Sequence, residues 1–205
     1  SRYTRAQFRE RRRKASTSRY SLAVLWNPAE ALPPSSARTI KKFQSVGASM
    51  GLEVEPIERK DFLRLAEYDA LFIRETTAID NHTYRFAKKA EVEGMPVLDD
   101  PMSIVRCTNK VYLAELLQAN KLPAPKTLIL DRTKVLQAEE VLGFPLVLKI
   151  PDGSFSRGVF KANDRNELTK ISRDLFKRSD VILAQEFMYT EFDWRVGVLN
   201  RQPIF

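Results

Sequence analysis

Short apolar runs alternate with longer segments of helical periodicity through residues 20–103, and this alternation restricts the fold more than any other feature. The apolar runs, which are typical of buried strands, lie at 21–26, 52–57, 70–74 and 96–98. Residues 36–50 and 81–93 instead carry apolar side chains three or four positions apart, as amphipathic helices do. Strands that alternate with helices at this spacing predict a doubly wound parallel α/β sheet.

The carboxyl ends of these predicted parallel strands carry polar residues. Asn27 follows the first strand, Arg74 to Thr77 follow the third, and Asp99-Asp100 follow the fourth. Ligands of doubly wound sheets bind outside this edge of the sheet. These positions are therefore the candidates for ligand contacts in the first part of the chain.

The second half has a different pattern, because its predicted strands follow one another more often than they alternate with helices. A helix is predicted from Thr108 or Asn109 to about Asn120, and two more at 133–142 and 164–178. The predicted strands lie at 127–130, 146–150, 159–162, 181–187 and 193–199. This order is typical of an α+β architecture.

The composition is that of an ordinary globular protein and excludes several kinds of site. The chain of 205 residues is 43% hydrophobic and 29% charged, and no apolar run approaches the roughly 20 residues that cross a bilayer. The single cysteine, Cys107, excludes an internal disulfide and favours a reducing, cytoplasmic location. With one histidine, His82, a zinc site of the His/Cys type cannot form within one chain.

Most of the positive charge lies at the start of the chain. Residues 1–19 contain eight basic residues and one acidic residue, so the remainder carries only +1 of the total net charge of +8. The globular part is therefore not expected to present the basic surface that nucleic-acid binding requires. The arm itself is either a solvated charged segment or a site for phosphates or a partner.

Four features of the second half suit a nucleotide, although each has an ordinary structural explanation. Lys149 interrupts the apolar strand 146–150, where an ammonium needs an anion unless it points outward. The loop 151–158 offers hydroxyls, glycines and amides to a polyphosphate, but hairpin turns look similar. The strand end at 185–188 either presents its backbone to a purine edge or is an ordinary strand end with no ligand. Lys110, considered by itself, would be interpreted as an ordinary surface lysine.

The order and spacing of these features resemble the ATP-grasp superfamily and, within it, RimK-type α-L-glutamate ligases, which are near relatives of glutathione synthetases. The resemblance extends over roughly residues 20–205. It is carried by Ile73–Ile79, Cys107–Lys110, the segment LVLKIPDGSFSRGV at 146–159, the segment VILAQEFM at 181–188, and Asp193–Arg195.

The resemblance implies a domain organisation. A basic arm or linker (1–19) would precede a pre-ATP-grasp doubly wound domain (20–103) and the small ATP-grasp subdomain (104–187). Residues 188–205 would begin the large subdomain, so the ATP-grasp domain is expected to be incomplete and both chain ends to be internal to a longer protein.

The resemblance also implies a role for each matching phosphate-binding position. Lys110 and Lys149 would contact the α- and β-phosphates of ATP as point charges. Ser154, Ser156 and Gly158 would belong to the loop that closes over the β- and γ-phosphates.

Further positions would bind the rest of the nucleotide and the substrates. Asp193 would hydrogen-bond the ribose hydroxyls. The adenine hinge would consist of Gln185, Glu186, Phe187 and Met188. Arg74 and Thr77 would bind the acceptor or the carboxylate substrate, whereas Arg157 would either meet a phosphate or carboxylate or remain solvated.

The activity implied is ADP-forming ligation of a carboxylate to an amine through an acylphosphate. The substrates would be ATP, an amino acid such as glutamate, and a peptide, protein or small-amine acceptor. The Mg²⁺ ligands are expected beyond Phe205, so we assign no metal ligand and no catalytic residue within this chain, and we expect the chain alone to be inactive. Whether the protein forms a homo-oligomer is left open.

Two other functions remain open at this point. One is a non-catalytic module of the same fold that binds a nucleotide or a partner. The other is a nucleic-acid-associated protein that acts through the basic arm. No membrane association is expected.

Overall fold

The computed structural model describes residues 18–152 and 158–204. The chain divides into two compact units, Ser1–Leu113 and Ala114–Phe205. Because this division falls within a single helix rather than at a linker, the domain limits suggested by the sequence stay predictions.

The first unit contains a four-stranded sheet in the order β2-β1-β3-β4, and every neighbouring pair is parallel. Its strands are β1 (Tyr20–Leu25), β2 (Leu52–Ile57), β3 (Ala70–Ile73) and β4 (Val97–Leu98). Between and after them lie α1 (Ala37–Ser49), a 3₁₀ helix (Arg59–Glu67), α2 (His82–Val92) and α3 (Pro101–Thr108). The predicted parallel α/β unit is confirmed.

Alternate residues of β1 enter different hydrophobic cores, as expected when a sheet is covered on both faces. Ala23 and Leu25 pack in one core with Phe86 of α2. Val24 packs in the other core with Ile40 of α1. All three β1 residues are fully buried, so the central strand is sealed from solvent on both sides.

Helix α1 shows how local sequence and packing place a helix against this sheet. Its N-cap is Ser36, whose hydroxyl accepts a hydrogen bond from the amide of Thr39 at 3.2 Å. On its buried face, a Cβ added at Gly47 would lie 2.4 Å from Cγ2 of Val54. The glycine therefore allows α1 to approach β2 more closely than any other residue would.

The second unit contains a four-stranded antiparallel sheet in the order β5-β8-β6-β7. Helix α4 (Lys110–Ala119) leads into it. Its strands are β5 (Thr127–Leu130), β6 (Leu146–Lys149), β7 (Val159–Ala162) and β8 (Ile182–Glu186), and its helices are α5 (Gln137–Leu142) and α6 (Arg165–Leu175). The predicted α+β character of this half is confirmed.

One face of the antiparallel sheet forms the hydrophobic core of the second unit. Leu146 and Leu148 of β6 and Ala184 of β8 are fully buried there, against Ala138 of α5 and Leu168 of α6. Since successive strand residues point to opposite faces, the residues between them point away from this core. That opposite face carries the polar residues of the site.

One predicted strand is wrong. Residues 193–199 do not form a strand; only β9 (Val198–Leu199) does, and it pairs with β10 (Gln202–Pro203) in a two-stranded hairpin. The turn residues Asn200 and Arg201 both have positive φ, +49° and +62°. This geometry matches a two-residue hairpin turn. The partner strand pairs with only Val198 and Leu199, so residues 193–197 remain outside the ladder.

Two helices were not anticipated. The 3₁₀ helix follows β2, and α3 begins at Pro101, where the sequence suggested only the end of a strand. Asp100 is the N-cap of α3 and accepts a hydrogen bond from the amide of Ser103 at 3.0 Å. Among the helices of the described residues, none is long and apolar enough to span a membrane.

Candidate functional site

The polar face of the antiparallel sheet brings together two of the candidate residues. Thr127 of β5 pairs with Gln185 of β8, and Gln185 pairs with Val147 of β6. Lys149 is two residues beyond Val147, so its side chain emerges on the same face. The ammonium of Lys149 is thus half-buried at a sheet surface rather than within the core.

A chain of hydrogen bonds runs across this face. Nζ of Lys149 donates to Oε1 of Gln185 at 2.5 Å, and Nε2 of Gln185 donates to Oγ1 of Thr127 at 2.8 Å. The Thr127 hydroxyl in turn donates to the carbonyl oxygen of Pro125 at 2.8 Å. A lysine ammonium has three N–H donors, so it can bond to more than one partner at once.

A second cation and an aromatic ring lie on the same face. Lys161 pairs with Val147 in the β6–β7 ladder, which directs its side chain to the side of Lys149. Its Nζ lies 4.1 Å from the centre of the Phe187 ring. Such a cation–π contact contributes about 0.5–1 kcal/mol at an exposed site. The face therefore combines positive charge with an accessible aromatic surface.

The end of β8 is held by its neighbour across the sheet. The backbone amide of Glu186 donates to the carbonyl of Lys126 at 3.0 Å, and Oε1 of Glu186 accepts from the amide of Lys126 at 2.8 Å. Phe187 and Met188, which follow, are exposed. A purine edge at this hinge would therefore use backbone groups other than the Glu186 amide.

Gly158 is placed by a close contact with Ile150, the residue that follows β6. Its φ of +82° is in the left-handed region, and a Cβ there would lie 2.8 Å from Cγ1 of Ile150. The carbonyl of Gly158 also accepts a hydrogen bond from the amide of Ile150 at 3.3 Å. The other predicted loop residues, Ser154, Ser156 and Arg157, lie outside the described residues.

Two further nucleotide candidates, Lys110 and Asp193, are not strand residues of the polar sheet face. Lys110 is the first residue of α4 and belongs to the first unit. The amide of Tyr112 donates to Oδ1 of Asn109 at 3.0 Å, so Asn109, one of the two predicted caps, caps this helix. Asp193 is exposed in the segment between β8 and β9, close to the exposed Trp194.

In the first unit, Arg74 lies at the carboxyl end of β3, as predicted, but its guanidinium already has protein partners. Its Nε donates to Oγ of Ser35 at 2.7 Å and its Nη2 donates to the carbonyl of Pro34 at 2.7 Å. These bonds orient the planar cation and leave further N–H donors for a carboxylate. Thr77, three residues on, is partly buried.

Glu75, beside Arg74 at the carboxyl end of β3, is a buried acid to which the sequence assigned no role. Oε2 of Glu75 lies 2.7 Å from Nε2 of His82, the first residue of α2. Loss of hydration raises the pKa of Glu75, His82 opposes this rise, and Glu30 and Glu58 add to it by repulsion. The carboxylate of Glu30 also accepts a hydrogen bond from the amide of Thr76.

Asp99 and Asp100, which follow β4, have opposite pKa shifts. Loss of hydration raises the pKa of Asp99, although the attraction of Arg74 lowers it. Hydrogen bonds from the side chain and backbone of Ser103 lower the pKa of Asp100. The carboxyl edge of the parallel sheet thus holds acids in two different environments, as well as an oriented arginine.

No metal site is apparent in the part of the chain that the structure describes. Within residues 18–152 and 158–204, no group of three or more His, Cys, Asp and Glu side chains could hold a metal ion. The donors on the polar sheet face are ammonium groups and an amide, which suit an anion and not a cation.

Solved structures identify the class of fold to which this arrangement belongs. A crystal structure of a RimK domain ATP-grasp protein from Sphaerobacter thermophilus is similar to this chain with a TM-score of 0.64 at 17% identity. The similarity covers 82% of this chain and 64% of the solved one. The fold is therefore an ATP-grasp fold.

Sequence comparisons agree with this fold. Residues 107–204 match the family model of the RimK-like ATP-grasp domain, and the resemblance noted from the motifs is confirmed. The α-aminoadipate–LysW ligase LysX of Saccharolobus solfataricus is 31% identical over 162 residues, which are 69% of this chain. N-acetylaspartylglutamate synthase A of Mus musculus is 25% identical over 78% of this chain.

These relatives are longer than the chain. The matched region is 55% of the LysX ligase and 42% of the mouse synthase. The chain therefore spans about half the length of the curated relatives that it matches.

Two residues of the polar sheet face were missed by the sequence reasoning. Lys161 carried a usable signal, because an antiparallel hairpin between 146–150 and 159–162 places it on the same face as Lys149. Thr127 carried none, because its role depends on β8 lying between β5 and β6, and strand order in an antiparallel sheet is not readable from one sequence.

Proposed function

We propose that the protein is an ATP-dependent, ADP-forming carboxylate–amine ligase. The observation that carries this proposal is the polar sheet face, where Lys149, held by Gln185, lies on the same surface as Lys161 and the exposed ring of Phe187. Two ammonium groups suit the phosphates and an aromatic ring suits the base. The RimK-like domain and its relatives, which are named ligases and synthases, support the same reading.

The proposed reaction has two displacement steps. An oxygen of the substrate carboxylate attacks the γ-phosphorus of ATP, and the bond to the β-phosphate oxygen breaks with departure of ADP. The nitrogen of the amine then attacks the acyl carbon, phosphate leaves, and the amine loses a proton to solvent or phosphate. Such chemistry depends mainly on alignment, charge neutralisation and exclusion of water.

This chain would supply binding groups for the first step. Lys149 and Lys110 would contact the phosphates, and the closing loop would include Ser154, Ser156 and Gly158. Phe187 and Met188, with the backbone of Gln185 and Glu186, would form the adenine hinge, and Asp193 would bind the ribose. Arg74, already oriented by Ser35, would bind a substrate carboxylate near Thr77, and Arg157 would add a cation for a phosphate or carboxylate.

The remaining parts of the proposal concern the metal, the substrates and the location. Mg²⁺ would accompany ATP, and its ligands are expected beyond residue 205. The acid substrate would be an amino acid such as glutamate, and the acceptor would be a peptide, a protein or a small amine. We expect the protein to act in the cytoplasm.

Nucleotide product analysis tests the proposal. The protein in its longest natural form is incubated with ATP, Mg²⁺ and a panel of amino acids and peptides, while ADP, AMP and phosphate are measured. ADP release that depends on one amino acid would support the ligase and identify its substrate class. AMP release would overturn the acylphosphate chemistry, and nucleotide binding without substrate-dependent ADP would favour a non-catalytic module.

A further inference from the structure

The side-chain amide of Gln185 has a direction that is set by Thr127. The Thr127 hydroxyl donates its proton to the carbonyl of Pro125, so toward Gln185 it can only accept. The NH₂ group of Gln185 must therefore face Thr127, at 2.8 Å. The amide oxygen is then left facing the other way, toward Lys149.

This direction matters for the ammonium of Lys149. If the amide of Gln185 were reversed, its NH₂ group would oppose the NH₃⁺ group and two donors would face each other. In the direction observed, the amide oxygen accepts from Nζ at 2.5 Å. A neutral acceptor orients the ammonium without cancelling its charge, whereas a carboxylate at the same position would neutralise it.

The hydroxyl is not needed to hold the strands together. Thr127 and Gln185 are directly opposite residues of the β5–β8 ladder, and Thr127 to Leu130 are in register with Gln185 to Ile182. Replacement of the hydroxyl by a methyl group leaves this backbone pairing available. The effects on orientation and on strand pairing can therefore be separated by experiment.

We propose that Thr127 is a positioning residue for the phosphate-binding ammonium of Lys149 and that it acts by fixing the direction of the Gln185 side-chain amide. The proposal rests on the proposed function, because it takes Lys149 as the group that binds the phosphates of ATP. Thr127 itself contacts neither nucleotide nor substrate. It would raise the affinity for ATP by holding Lys149 in place before the nucleotide binds.

Two substitutions at one position separate orientation from packing. Thr127→Val has nearly the same shape but cannot accept from Gln185, and Thr127→Ser keeps the hydroxyl. Thr169→Val makes the same change at an exposed helical position and serves as the control. All are made in the full-length protein, and Tm is measured for each.

The first readout needs no nucleotide. NMR signals of the Gln185 side-chain NH₂ group are followed in the protein without ATP. We expect these signals to move and to exchange faster with solvent in Thr127→Val, and to remain close to wild type in Thr127→Ser and Thr169→Val. Unchanged signals in Thr127→Val would overturn the proposal.

The second readout is the affinity for ATP, measured as Kd. Steady-state kinetics then show whether any loss of activity lies in KM or in kcat. We expect Thr127→Val to weaken ATP binding roughly tenfold, because a misdirected Gln185 amide no longer accepts the hydrogen bond from the charged Lys149. Thr127→Ser should stay within about twofold of wild type. Altered Gln185 signals with wild-type ATP affinity would overturn the positioning role.

A double-mutant cycle gives the sharpest test. In a Gln185→Met background there is no amide to orient, so Thr127→Val should have no further effect on ATP affinity. Additive losses would overturn the proposal, because they would mean that Thr127 acts by another route. Wild-type protein that binds no ATP would overturn the proposed function and the positioning role with it, whereas the NMR readout would still report the hydrogen-bond chain.

Discussion

Glu75 and His82 form a buried pair that ties the end of β3 to the start of α2. Oε2 of Glu75 lies 2.7 Å from Nε2 of His82, and the Glu75 side chain is almost completely enclosed. Its other oxygen, Oε1, has no hydrogen-bond partner among the described residues. Loss of hydration makes this buried carboxylate costly to ionise, which is why its pKa is raised.

This pair predicts a pH dependence of stability. Because the pKa of Glu75 is higher in the folded state than its ordinary value of 4.5, the folded state holds the proton more tightly. Stability from this group is therefore lost as the pH rises from about 4.5 through the raised pKa. The free energy of unfolding is measured by urea titration from pH 4 to 8 for wild type and Glu75→Gln. As the pH rises, the variant should become more stable relative to wild type.

Asp100→Asn is the matched control for this prediction and should show no such gain between pH 4 and 8. The hydrogen bonds from Ser103 lower the pKa of Asp100, so its contribution is present above the ordinary value of 3.8 and is lost as the pH falls through the lowered pKa. A parallel pH dependence for the two variants would contradict the assignment. Both comparisons are repeated in a His82→Asn background, which removes the chain's single histidine.

In the longest natural form of the protein, loss of the Lys149 charge should greatly reduce activity without loss of the fold. Lys149→Met keeps most of the aliphatic side chain but removes the ammonium from the polar sheet face. We expect ATP-dependent product formation to fall by about 10²–10³, as when one charge-stabilising donor is removed from an active site. Tm should remain near that of wild type, because the position is only half-buried.

Lys170→Met provides the control for this experiment, because Lys170 is exposed on α6. It should leave activity unchanged. Full activity in Lys149→Met would refute the assignment of this lysine to the phosphates.

Gly158 should tolerate no side chain. Gly158→Ala adds the strain of a left-handed φ, about 1–2 kcal/mol, and a Cβ that would overlap Ile150. Overpacking of this kind costs about 1–3 kcal/mol more. Guanidinium unfolding should therefore give a loss of stability well above that from the backbone alone.

Gly94→Ala isolates the backbone contribution. Its φ is +64°, but a Cβ there would meet nothing within 4 Å. We expect a loss of about 1 kcal/mol. Equal losses in the two variants would mean that Ile150 moves aside without cost.

The basic arm should account for any binding of nucleic acid. Deletion of residues 1–17 spares Arg19, whose amide donates to the carbonyl of Gly51 at 3.0 Å. Any salt-sensitive RNA binding of the intact chain should disappear, because the remaining residues are close to neutral. Affinity is measured across a salt series in both forms. Binding that survives the deletion would disprove the assignment of RNA binding to the basic arm.

Much of the fold could be predicted because its signals are local. The apolar run at 21–26 and the helical spacing at 36–50 are readable from neighbouring residues, and β1 and α1 appear where these patterns place them. Helix α3 was missed because Asp100-Pro101 was interpreted as a strand end, although the pair also starts a helix. The predicted strand at 193–199 failed because its hairpin partner, Gln202–Pro203, pairs with only the last two of these residues.

The candidate site was predicted only in part. Lys149, Gln185 and Phe187 were found from motif order, and the structure places all three on one face of the antiparallel sheet. Lys161 and Thr127 were not found, since a side chain becomes functional there through its register with other strands. The roles of Ser154, Ser156 and Arg157 stay predictions.

The sequence by itself determined most of the strands and helices. It also determined that the first sheet is parallel and the second part α+β, because periodicity and connection length are properties of adjacent residues. Only the tertiary structure decided which side chains meet. Lys149 and Gln185 are 36 residues apart, and Gln185 and Thr127 are 58 apart. Hydrogen bonds between such partners require a particular strand order, register and face, and these arise from packing of the whole sheet.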